Sequence, residues 1–255
     1  DDLARLATAL NTMLDRLGQA FADKEASEDA LRRFVADASH ELRTPLSAVL
    51  GYAELVQSGM ASSPQQIDHA VGRITAEGER MRLLVEELLL LARLDRGRAA
   101  QRVMIDLQDL VVTAVGDARA IAPERPVTMQ PEVDGGGQLL VLADANSLRQ
   151  AVDNLLANAR THTPAGSQIE VTVRRRGALI DVVVDDDGPG VDPDDAAHLF
   201  DRFFRSERSR ARPGGAGLGL AIVAAVAAAH EGSATVETAP LGGARFVLSL
   251  PAASV

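Results

Sequence analysis

Apolar residues recur every three or four positions along the first 95 residues, and this rhythm predicts amphipathic helices. Three stretches share it. Their apolar positions are Leu3, Leu6, Leu10, Met13, Leu17 and Ala20 in the first stretch, Leu31, Val35, Ala38, Leu42, Pro45, Val49, Tyr52 and Val56 in the second, and Ile67, Val71, Ile74, Gly78, Met81, Val85, Leu88 and Ala92 in the third. The first stretch fits a coiled-coil seam and an ordinary amphipathic helix equally well.

The second and third stretches predict two long helices joined by a short turn. Gly59 and Ser62-Ser63-Pro64 interrupt the rhythm between them, and Pro45 predicts a bend inside the second stretch. Two such helices form an antiparallel hairpin. A hairpin with one apolar seam cannot bury that seam alone, so we expect two copies of the chain to pair as a four-helix bundle.

Beyond a polar boundary at residues 97–102, short strand patterns replace the long helices. The predicted strands cover residues 127–129, 139–142, 169–174, 179–185, 234–237 and 246–250. Helical patterns cover residues 144–160 and 218–230, and the glycines at 135–137 predict a flexible hairpin loop. This order favours an α/β domain of the α+β sandwich type, with helices on one face of a sheet.

Composition narrows the functions that the chain can carry. The formal net charge is −10, so long-range attraction to nucleic acids is not expected, and aromatic residues make up only 3%. Cysteine is absent, which excludes disulfides, thiolate zinc sites and cysteine nucleophiles. Lys24 is the only lysine, so a role that usually falls to lysine must be carried by arginine or be absent. No run approaches the ~20 apolar residues that span a bilayer.

His40 is the first candidate for chemistry. At about 100° per residue, His40 and Thr44 lie together on the polar face of the predicted helix, away from the seam through Ala38 and Leu42. An exposed imidazole beside the Glu41 carboxylate suits a nucleophile whose ring proton the carboxylate accepts. A single histidine on a helix surface is more often an ordinary solvent-exposed residue than a nucleophile. A zinc-protease motif is excluded, because Thr44 stands where that motif has its second histidine.

Asn154 and Asn158 form a second candidate, because residues four apart share one face of a helix. Amide oxygens there can complete the oxygen shell of Mg²⁺ beside substrate phosphates. Taken alone, a buried or capping asparagine pair is the more ordinary interpretation.

A third candidate, Asp186-Asp187-Gly188-Pro189-Gly190, follows an apolar strand. A carboxylate only accepts hydrogen bonds, so it can receive the exocyclic amine of adenine, and glycines let the backbone approach a ligand. A plain turn rich in Asp, Gly and Pro is the alternative, and this segment alone leaves both interpretations open.

A glycine-rich segment, Gly214-Gly215-Ala216-Gly217-Leu218-Gly219-Leu220, leads into the last predicted helix. Glycines expose backbone amides at a helix N-terminus, where the helix dipole favours phosphate. The segment is not a dinucleotide fingerprint, since position 220 is Leu, and it is not a Walker motif, since it has no lysine.

Together these segments resemble the sensor histidine kinases of bacterial two-component systems. Residues 39–46, Ser-His-Glu-Leu-Arg-Thr-Pro-Leu, are similar to the phospho-acceptor box on the dimerisation and histidine-phosphotransfer hairpin of that family. The resemblance implies that His40 is autophosphorylated, that Glu41 is its base, and that Thr44 orients a water when the partner is dephosphorylated. Residues 1–14 resemble the closing helix of a HAMP signal relay, although Ala4 stands where that pattern often has Gly.

The second half of the chain resembles the catalytic ATP-binding domain of the same family. The helix with Asn154 and Asn158 is similar to its asparagine box, residues 186–190 and 214–220 to its glycine boxes, residues 199–205 to its phenylalanine box, and residues 242–246 to its final glycine segment. The resemblance implies ATP and Mg²⁺ as cofactors, with adenine on Asp186, Mg²⁺ on Asn158 and Asn154 nearby. The other nucleotide-binding residues that it implies are His162, Gly188, Gly190, Arg205, Gly215, Gly217 and Gly219. Residues 201–216 would form a mobile lid over the phosphates.

Two positions depart from the family pattern. Thr161 stands where the family often has Lys or Arg, and His162 stands at a position that is often aromatic, where an imidazole could still stack on adenine. We hypothesise that an arginine neutralises the γ-phosphate charge in place of the lysine. The candidates are Arg160, Arg205, Arg208 and Arg210.

The resemblance implies three parts, namely a HAMP helix at residues 1–20, the dimerisation and phosphotransfer hairpin at 21–97, and the catalytic domain at 98–255. The predicted function is ATP-dependent autophosphorylation of His40 and phosphotransfer to an aspartate of a response regulator receiver domain, together with phosphatase activity toward that regulator. An ATPase of the gyrase and chaperone superfamily and a nucleotide-binding signalling scaffold are the alternatives.

The resemblance also gives expectations about partners and location. We expect a homodimer, no nucleic-acid partner, and a catalytic domain that moves on the linker near residues 97–102 to reach His40. Because the chain begins inside a helical pattern, we expect it to be the cytoplasmic portion of a plasma-membrane protein, attached through a region before residue 1.

Overall fold

A computed structural model describes residues 2–95, 101–130, 138–206 and 215–253. The chain divides into two compact units, one ending at Arg82 and the other beginning at Leu83. The predictions for the glycines at 135–137, for most of the linker near 97–102, and for Arg208 and Arg210 lie outside the described residues. Within those ranges, no helix is long and apolar enough to cross a membrane.

Two long helices make up the first part of the chain: α1, Asp2–Gln57, and α2, Pro64–Asp95. The first two apolar stretches therefore belong to one continuous helix, which also continues through Pro45. Because proline lacks a backbone N–H, the carbonyl of Glu41 has no helical donor at position 45.

The turn before α2 ends in a capping box. The backbone N–H of Gln66 donates to Ser63 Oγ at 3.2 Å, and the Gln66 side-chain oxygen accepts from the N–H of Ser63 at 3.1 Å. Each side chain thus satisfies a backbone donor that the first helical turn leaves free, which fixes where α2 begins.

The two helices pack as the predicted antiparallel hairpin. Tyr52, near the end of α1, meets His69, near the start of α2, edge to face with ring centroids 6.3 Å apart. The Arg73 guanidinium lies 5.8 Å from the centre of the same Tyr52 ring. These contacts join residues on either side of the turn, as an antiparallel hairpin requires.

The buried face of α2 differs from the seam predicted for it. Ala70 is only 2% exposed, whereas Val71, which the sequence pattern placed in the seam, is 51% exposed. On α1, Leu46 and Leu50 are likewise exposed, although Pro45 is buried. Each helix therefore carries an exposed apolar stripe beside its buried face, and the dimeric bundle stays a prediction.

The rest of the described chain alternates between short strands and helices. The strands are β1 (Val103–Asp106), β2 (Val127–Gln130), β3 (Leu140–Ala143), β4 (Ile169–Arg176), β5 (Leu179–Asp186), β6 (Ser233–Thr238) and β7 (Ala244–Pro251). The helices are α3 (Leu107–Ile121), α4 (Ala145–His162), α5 (Pro193–Ala196) and α6 (Gly219–Ala229). All six predicted strands and both predicted helices are confirmed with closely similar bounds, whereas β1, α3 and α5 were not predicted.

The main sheet has the strand order β2-β4-β5-β7-β6. β2 runs parallel to β4 and the other neighbours are antiparallel, while β1 and β3 pair in a separate two-stranded sheet. Helix α3 packs on β2 and β4, α4 on β5, and α6 on β6 and β7. Along β4, Ile169, Val171 and Val173 are buried, while Glu170 and Arg174 alternate with them on the other face. The predicted sandwich, with helices on one face of a sheet, is confirmed.

Helix α4 is fixed at its first turn by two neighbours. Asp144 Oδ1 accepts a hydrogen bond from the N–H of Ser147 at 2.7 Å, which caps the helix. The N–H of Asp144 donates to Nε2 of the buried His230 at 3.0 Å, and the other ring nitrogen of His230 lies 2.7 Å from the Val226 carbonyl. Because His230 follows α6, it joins the end of α6 to the start of α4.

Candidate functional site

His40 and Thr44 lie on one exposed face of α1. Both side chains are exposed, whereas Glu41 is half-buried. Within the described residues, the His40 ring accepts and donates no hydrogen bond, and it is not bonded to Glu41. Its nitrogens are therefore open to a reactant, and a bond to Glu41 would have to form when that reactant arrives.

β5 ends with Asp185 and Asp186, Asp187 follows it, and each of the three aspartates has different surroundings. Asp185 is buried, and Arg245 donates to both of its oxygens at 2.7 Å. Asp187 is exposed and accepts from the N–H of Gln168 at 2.9 Å. Asp186 is only 4% exposed and accepts from two backbone N–H groups, those of Gly188 at 2.9 Å and Ala244 at 3.1 Å.

Both of those bonds go to the same oxygen, Oδ1, so the other carboxylate oxygen of Asp186 remains to accept from a ligand. Burial raises the pKa of Asp186 above its ordinary value, and the nearby charges of Asp187 and Asp185 act in the same direction. The two backbone N–H groups oppose this rise, because they stabilise the ionised form.

Glycines pack closely around Asp186, at positions where a side chain would have no room. A Cβ at Gly188 would approach the Thr163 methyl carbon to 2.6 Å, and a Cβ at Gly243 would approach the nitrogen of Gly188 to 2.6 Å. Gly190 has φ of +70° and faces the carbonyl groups of Gly242 and Gly243. Only glycine lets these backbone segments pack so closely around Asp186.

The start of α6 forms a second part of the site. Asn154 Nδ2 donates to the carbonyl of Gly219 at 3.2 Å, which ties α4 to the first residue of α6. No side chain caps the first turn of α6. Its free N–H groups and the helix dipole therefore suit an anion such as phosphate.

Asn158 lies one turn after Asn154 on α4 and is half-buried. Its amide makes no hydrogen bond with the described part of the chain, so its oxygen is available. A neutral amide oxygen is a ligand that Mg²⁺ accepts together with phosphate oxygens and water. In the described ranges, no three His, Asp or Glu side chains come together at metal-binding distance.

The segment that precedes the glycine-rich loop is joined to it by backbone contacts. The N–H of Phe203 donates to the carbonyl of Gly217 at 3.0 Å. A Cβ at Gly217 would lie 2.7 Å from the Phe204 carbonyl oxygen, and Gly217 has φ of +75°. Phe203 itself has φ of 61°, a conformation that a bulky residue rarely adopts. The predicted lid thus has its two ends held together, while residues 207–214 lie outside the described residues.

The residues that could supply the positive charge absent at Thr161 lie in different parts of the structure. Thr161 is on the same face of α4 as Asn154 and Asn158, at about 100° per residue. Arg160 points away from that face and lines a small pocket with Arg125, and the pocket's other lining residues are Ala118, Val127, Leu156 and Ile169. Arg205 and the exposed His162 remain predictions.

Two protein-family models match successive parts of the chain, the first around His40 and the second around the candidate nucleotide site. Residues 30–97 match the His Kinase A (phospho-acceptor) domain, and residues 143–254 match the histidine kinase-, DNA gyrase B- and HSP90-like ATPase domain. The probable sensor histidine kinase TcrY of Mycobacterium tuberculosis is 43% identical over 253 residues, which are 98% of this chain and 52% of that protein.

The chain belongs to the sensor histidine kinases.

Two further comparisons agree with this family. Sensor histidine kinase TrcS of Mycobacterium tuberculosis is 44% identical over 235 residues, or 90% of this chain and 45% of that protein. The crystal structure of the ATP binding domain of PrrB from the same species has a TM-score of 0.50 at 32% identity, and it covers 61% of this chain and all of that chain. The chain spans about half the length of the curated relatives it matches.

Sequence reasoning missed several residues around the site of this sensor histidine kinase. It assigned no role to Thr163, whose methyl group packs under Gly188, or to the N–H of Ala244, which holds Asp186. It gave Gly243 no role beyond a resemblance. Gly188 and Gly243 are 55 residues apart in the chain, so only the sheet, which pairs β5 with β7, brings them together.

Proposed function

We propose that this chain transfers the γ-phosphoryl group of ATP to His40 and then to an aspartate of a response regulator. The observation that carries the proposal is the Asp186 carboxylate. Two backbone N–H groups donate to Oδ1 and neither donates to the other oxygen, while glycines pack around the carboxylate. An acceptor held in this way suits the exocyclic amine of adenine.

We place the phosphates at the N-terminus of α6, with Mg²⁺ on Asn158. The uncapped first turn of α6 and the amide oxygen of Asn158 support this placement. Bound Mg²⁺ would neutralise charge on the phosphate oxygens. Asn154 positions the start of α6 through its bond to Gly219, and a lid arginine such as Arg205 would supply the positive charge that Thr161 does not.

The acceptor step forms a bond between a ring nitrogen of His40 and the γ-phosphorus, and it breaks the bond between that phosphorus and the β–γ bridging oxygen. ADP leaves with the electron pair of the broken bond. Glu41 takes the proton that the imidazole loses. Thr44, exposed one turn after His40, would orient the water that hydrolyses the phosphoryl group of the partner regulator.

We propose a homodimer through the exposed apolar stripes of the hairpin. Ile67 and Val71 on α2, and Leu46 and Leu50 on α1, support it, because each is more than a third exposed in one copy. The HAMP helix at residues 1–20, the hairpin at 21–97 and the catalytic domain at 98–255 are the parts that we assign. The whole protein would be attached to the plasma membrane through a region before residue 1, with this chain in the cytoplasm.

The products formed from ATP distinguish the proposed kinase from the two alternatives. An ATPase of the gyrase and chaperone type is not favoured, since a phospho-acceptor domain precedes the ATPase domain. The test is incubation with Mg²⁺ and [γ-³²P]ATP, in which released phosphate and protein-bound label are followed together. Label on the protein is expected. Release of phosphate without any labelled protein would indicate an ATPase, and neither product would indicate a scaffold.

A further inference from the structure

We propose that Arg125 is a positioning residue for the adenine end of the nucleotide site. Arg125 lies in the turn between α3 and β2, far in sequence from every segment that resembles a nucleotide-binding box. The proposal rests on the nucleotide site described above, since Arg125 acts on that site only through Thr163.

Arg125 binds one residue with two donors. Its Nη1 donates to Thr163 Oγ1 at 2.6 Å, and its Nη2 donates to the Thr163 carbonyl at 3.2 Å. Thr163 is the C-cap of α4 and is only 4% exposed. A charged donor that satisfies a buried hydroxyl and a helix-end carbonyl together makes a strong and directional contact.

The Thr163 hydroxyl has a second bond, which fixes its rotamer. It donates to the Ala159 carbonyl at 2.7 Å while it accepts from Arg125. With both roles of the hydroxyl occupied, the side chain has one favourable χ1, and the methyl group points in one direction.

That direction is toward Gly188. A Cβ built on Gly188 would lie 2.6 Å from the Thr163 methyl carbon, so this methyl group lies directly against the glycine. The N–H of Gly188 is one of the two donors that fix Asp186 Oδ1. Arg125 therefore orients Thr163, Thr163 supports Gly188, and Gly188 holds the carboxylate that we assign to adenine.

The backbone joins the same two regions independently. The N–H of Ile169 donates to the carbonyl of Pro126 at 3.0 Å, and the N–H of Gln168 donates to Asp187 Oδ1 at 2.9 Å. The turn that carries Arg125 is thus held in place without the Arg125 side chain. Loss of the guanidinium should change the position of Gly188 more than it changes the fold.

The test compares Arg125→Met with Arg119→Met in the full chain. Arg119 is the matched control, because its Nε donates to the Val127 carbonyl at 2.8 Å close to the same turn but does not bond to Thr163. Arg125→Met should weaken ADP binding, measured by calorimetry, by about tenfold, and raise the KM for ATP without lowering the kcat of labelling. Arg119→Met should lower the melting temperature and leave ADP affinity as in the wild type.

Two further variants test the contact between Arg125 and Thr163 directly. Arg125→Lys keeps one donor for Thr163 and should recover part of the lost affinity. Thr163→Val keeps a methyl group but loses both hydroxyl bonds, so it should weaken ADP binding about as much as Arg125→Met. The double variant should be no weaker than either single one, because both changes break the same contact.

The outcomes separate this inference from the proposed function. A folded Arg125→Met chain that binds ADP like the wild type would overturn the role of Arg125, and so would an equal loss in Arg119→Met. If Arg125→Met does not fold, Arg125→Lys and Thr163→Val decide in its place, and wild-type affinity in both rejects the proposal. If the wild type itself binds no ADP, the proposed nucleotide site is rejected, and the proposed role of Arg125 is rejected with it.

Discussion

The two oxygens of the Asp186 carboxylate have different surroundings, and this difference can be tested with one substitution. In Asp186→Asn, the amide oxygen can still accept from Gly188 and Ala244, but the amide nitrogen would then face the adenine amine as a second donor. ADP affinity, measured by calorimetry, should fall by roughly 30- to 100-fold, as expected when a hydrogen bond to a charged group is lost.

The unliganded Asp186→Asn protein should not be destabilised at neutral pH. Because the pKa of Asp186 is raised in the folded state, folding favours its protonated form. Its contribution to stability is therefore present at low pH and lost as the pH rises through the raised pKa. A neutral amide avoids this cost, so a large fall in the melting temperature at pH 7 would contradict this account of the surroundings of Asp186.

Glu87 is a second carboxyl group whose burial has a measurable consequence. It lies on α2 one turn from Leu84 and Leu91, which are 5% and 0% exposed, and burial raises its pKa from 4.5 to about 7. Its contribution to folding is complete below pH 4.5 and disappears as the pH rises through about 7. The loss amounts to at most about 3 kcal/mol.

The measurement is the free energy of unfolding by urea at several pH values from 5 to 8. The advantage of Glu87→Gln over the wild type should grow as the pH rises and level off above pH 7. Glu54→Gln provides the control, because it removes a carboxyl group that is exposed on α1. A constant difference between Glu87→Gln and the wild type would show that Glu87 does not titrate in this range.

Among the helices, the exposed apolar stripes are the feature that a second copy would cover. Leu50 is 61% exposed and Val71 is 51% exposed. Leu50→Glu and Val71→Glu should each convert a dimer into a monomer, measured by light scattering after size exclusion, because a charge would be buried without a partner. Ser47→Glu, on the polar side of α1, should remain dimeric. A monomeric wild type, or stripe variants that stay dimeric, would exclude this interface.

The junction between Phe203 and Gly217 allows a test of the predicted lid. Gly217→Ala places a Cβ 2.7 Å from the Phe204 carbonyl oxygen at a positive φ, so the backbone there must move. The rate of protein labelling by ATP should fall at least tenfold. Gly116→Ala, in the middle of α3 where a Cβ meets no atom within 4 Å, should label at the wild-type rate and melt at a higher temperature. Normal labelling by Gly217→Ala would show that this junction does not control the lid.

Most helices and strands could be predicted from the sequence, because the residue patterns that indicate them are local. The three-to-four rhythm and the turn residues 59–64 were sufficient for the hairpin, and strong apolar runs were sufficient for β4, β5 and β7. Helix α3 was missed although Leu107, Val111 and Ala118 have helical spacing, because the short segment follows directly on β1. The sequence pattern assigned Val71 to the buried face of α2, whereas the buried residue is Ala70, one position earlier. An alanine is less hydrophobic than the valine beside it, so the pattern favoured Val71.

The site was less predictable than the fold, for a physical reason. Asp186 and the glycines that follow it are adjacent in the chain, so their chemistry could be recognised from the sequence. Ala244, Thr163 and Arg125 contribute through a backbone N–H, a methyl group and a long side chain. None of these has a sequence signature, and each reaches the site only because the sheet and α4 bring distant segments together.

For the whole molecule, the two kinds of chemistry belong to separate units. His40 lies in the unit that ends at Arg82, and Asp186 lies in the unit that begins at Leu83. The order of a phospho-acceptor domain and an ATPase domain matches the sensor histidine kinases. Transfer of the γ-phosphoryl group of ATP to a nitrogen of His40 therefore has to be tested in the complete chain.

The most direct test is the chemistry of the label in His40→Gln and in the wild type after incubation with Mg²⁺ and [γ-³²P]ATP. His69→Gln is the matched control, because His69 lies on the same hairpin and contacts Tyr52 rather than solvent alone. We expect a label that acid removes and base does not, present in the wild type and in His69→Gln and absent from His40→Gln. A label that survives in His40→Gln, or one that resists acid, would contradict the assignment of His40 as the phosphoryl acceptor.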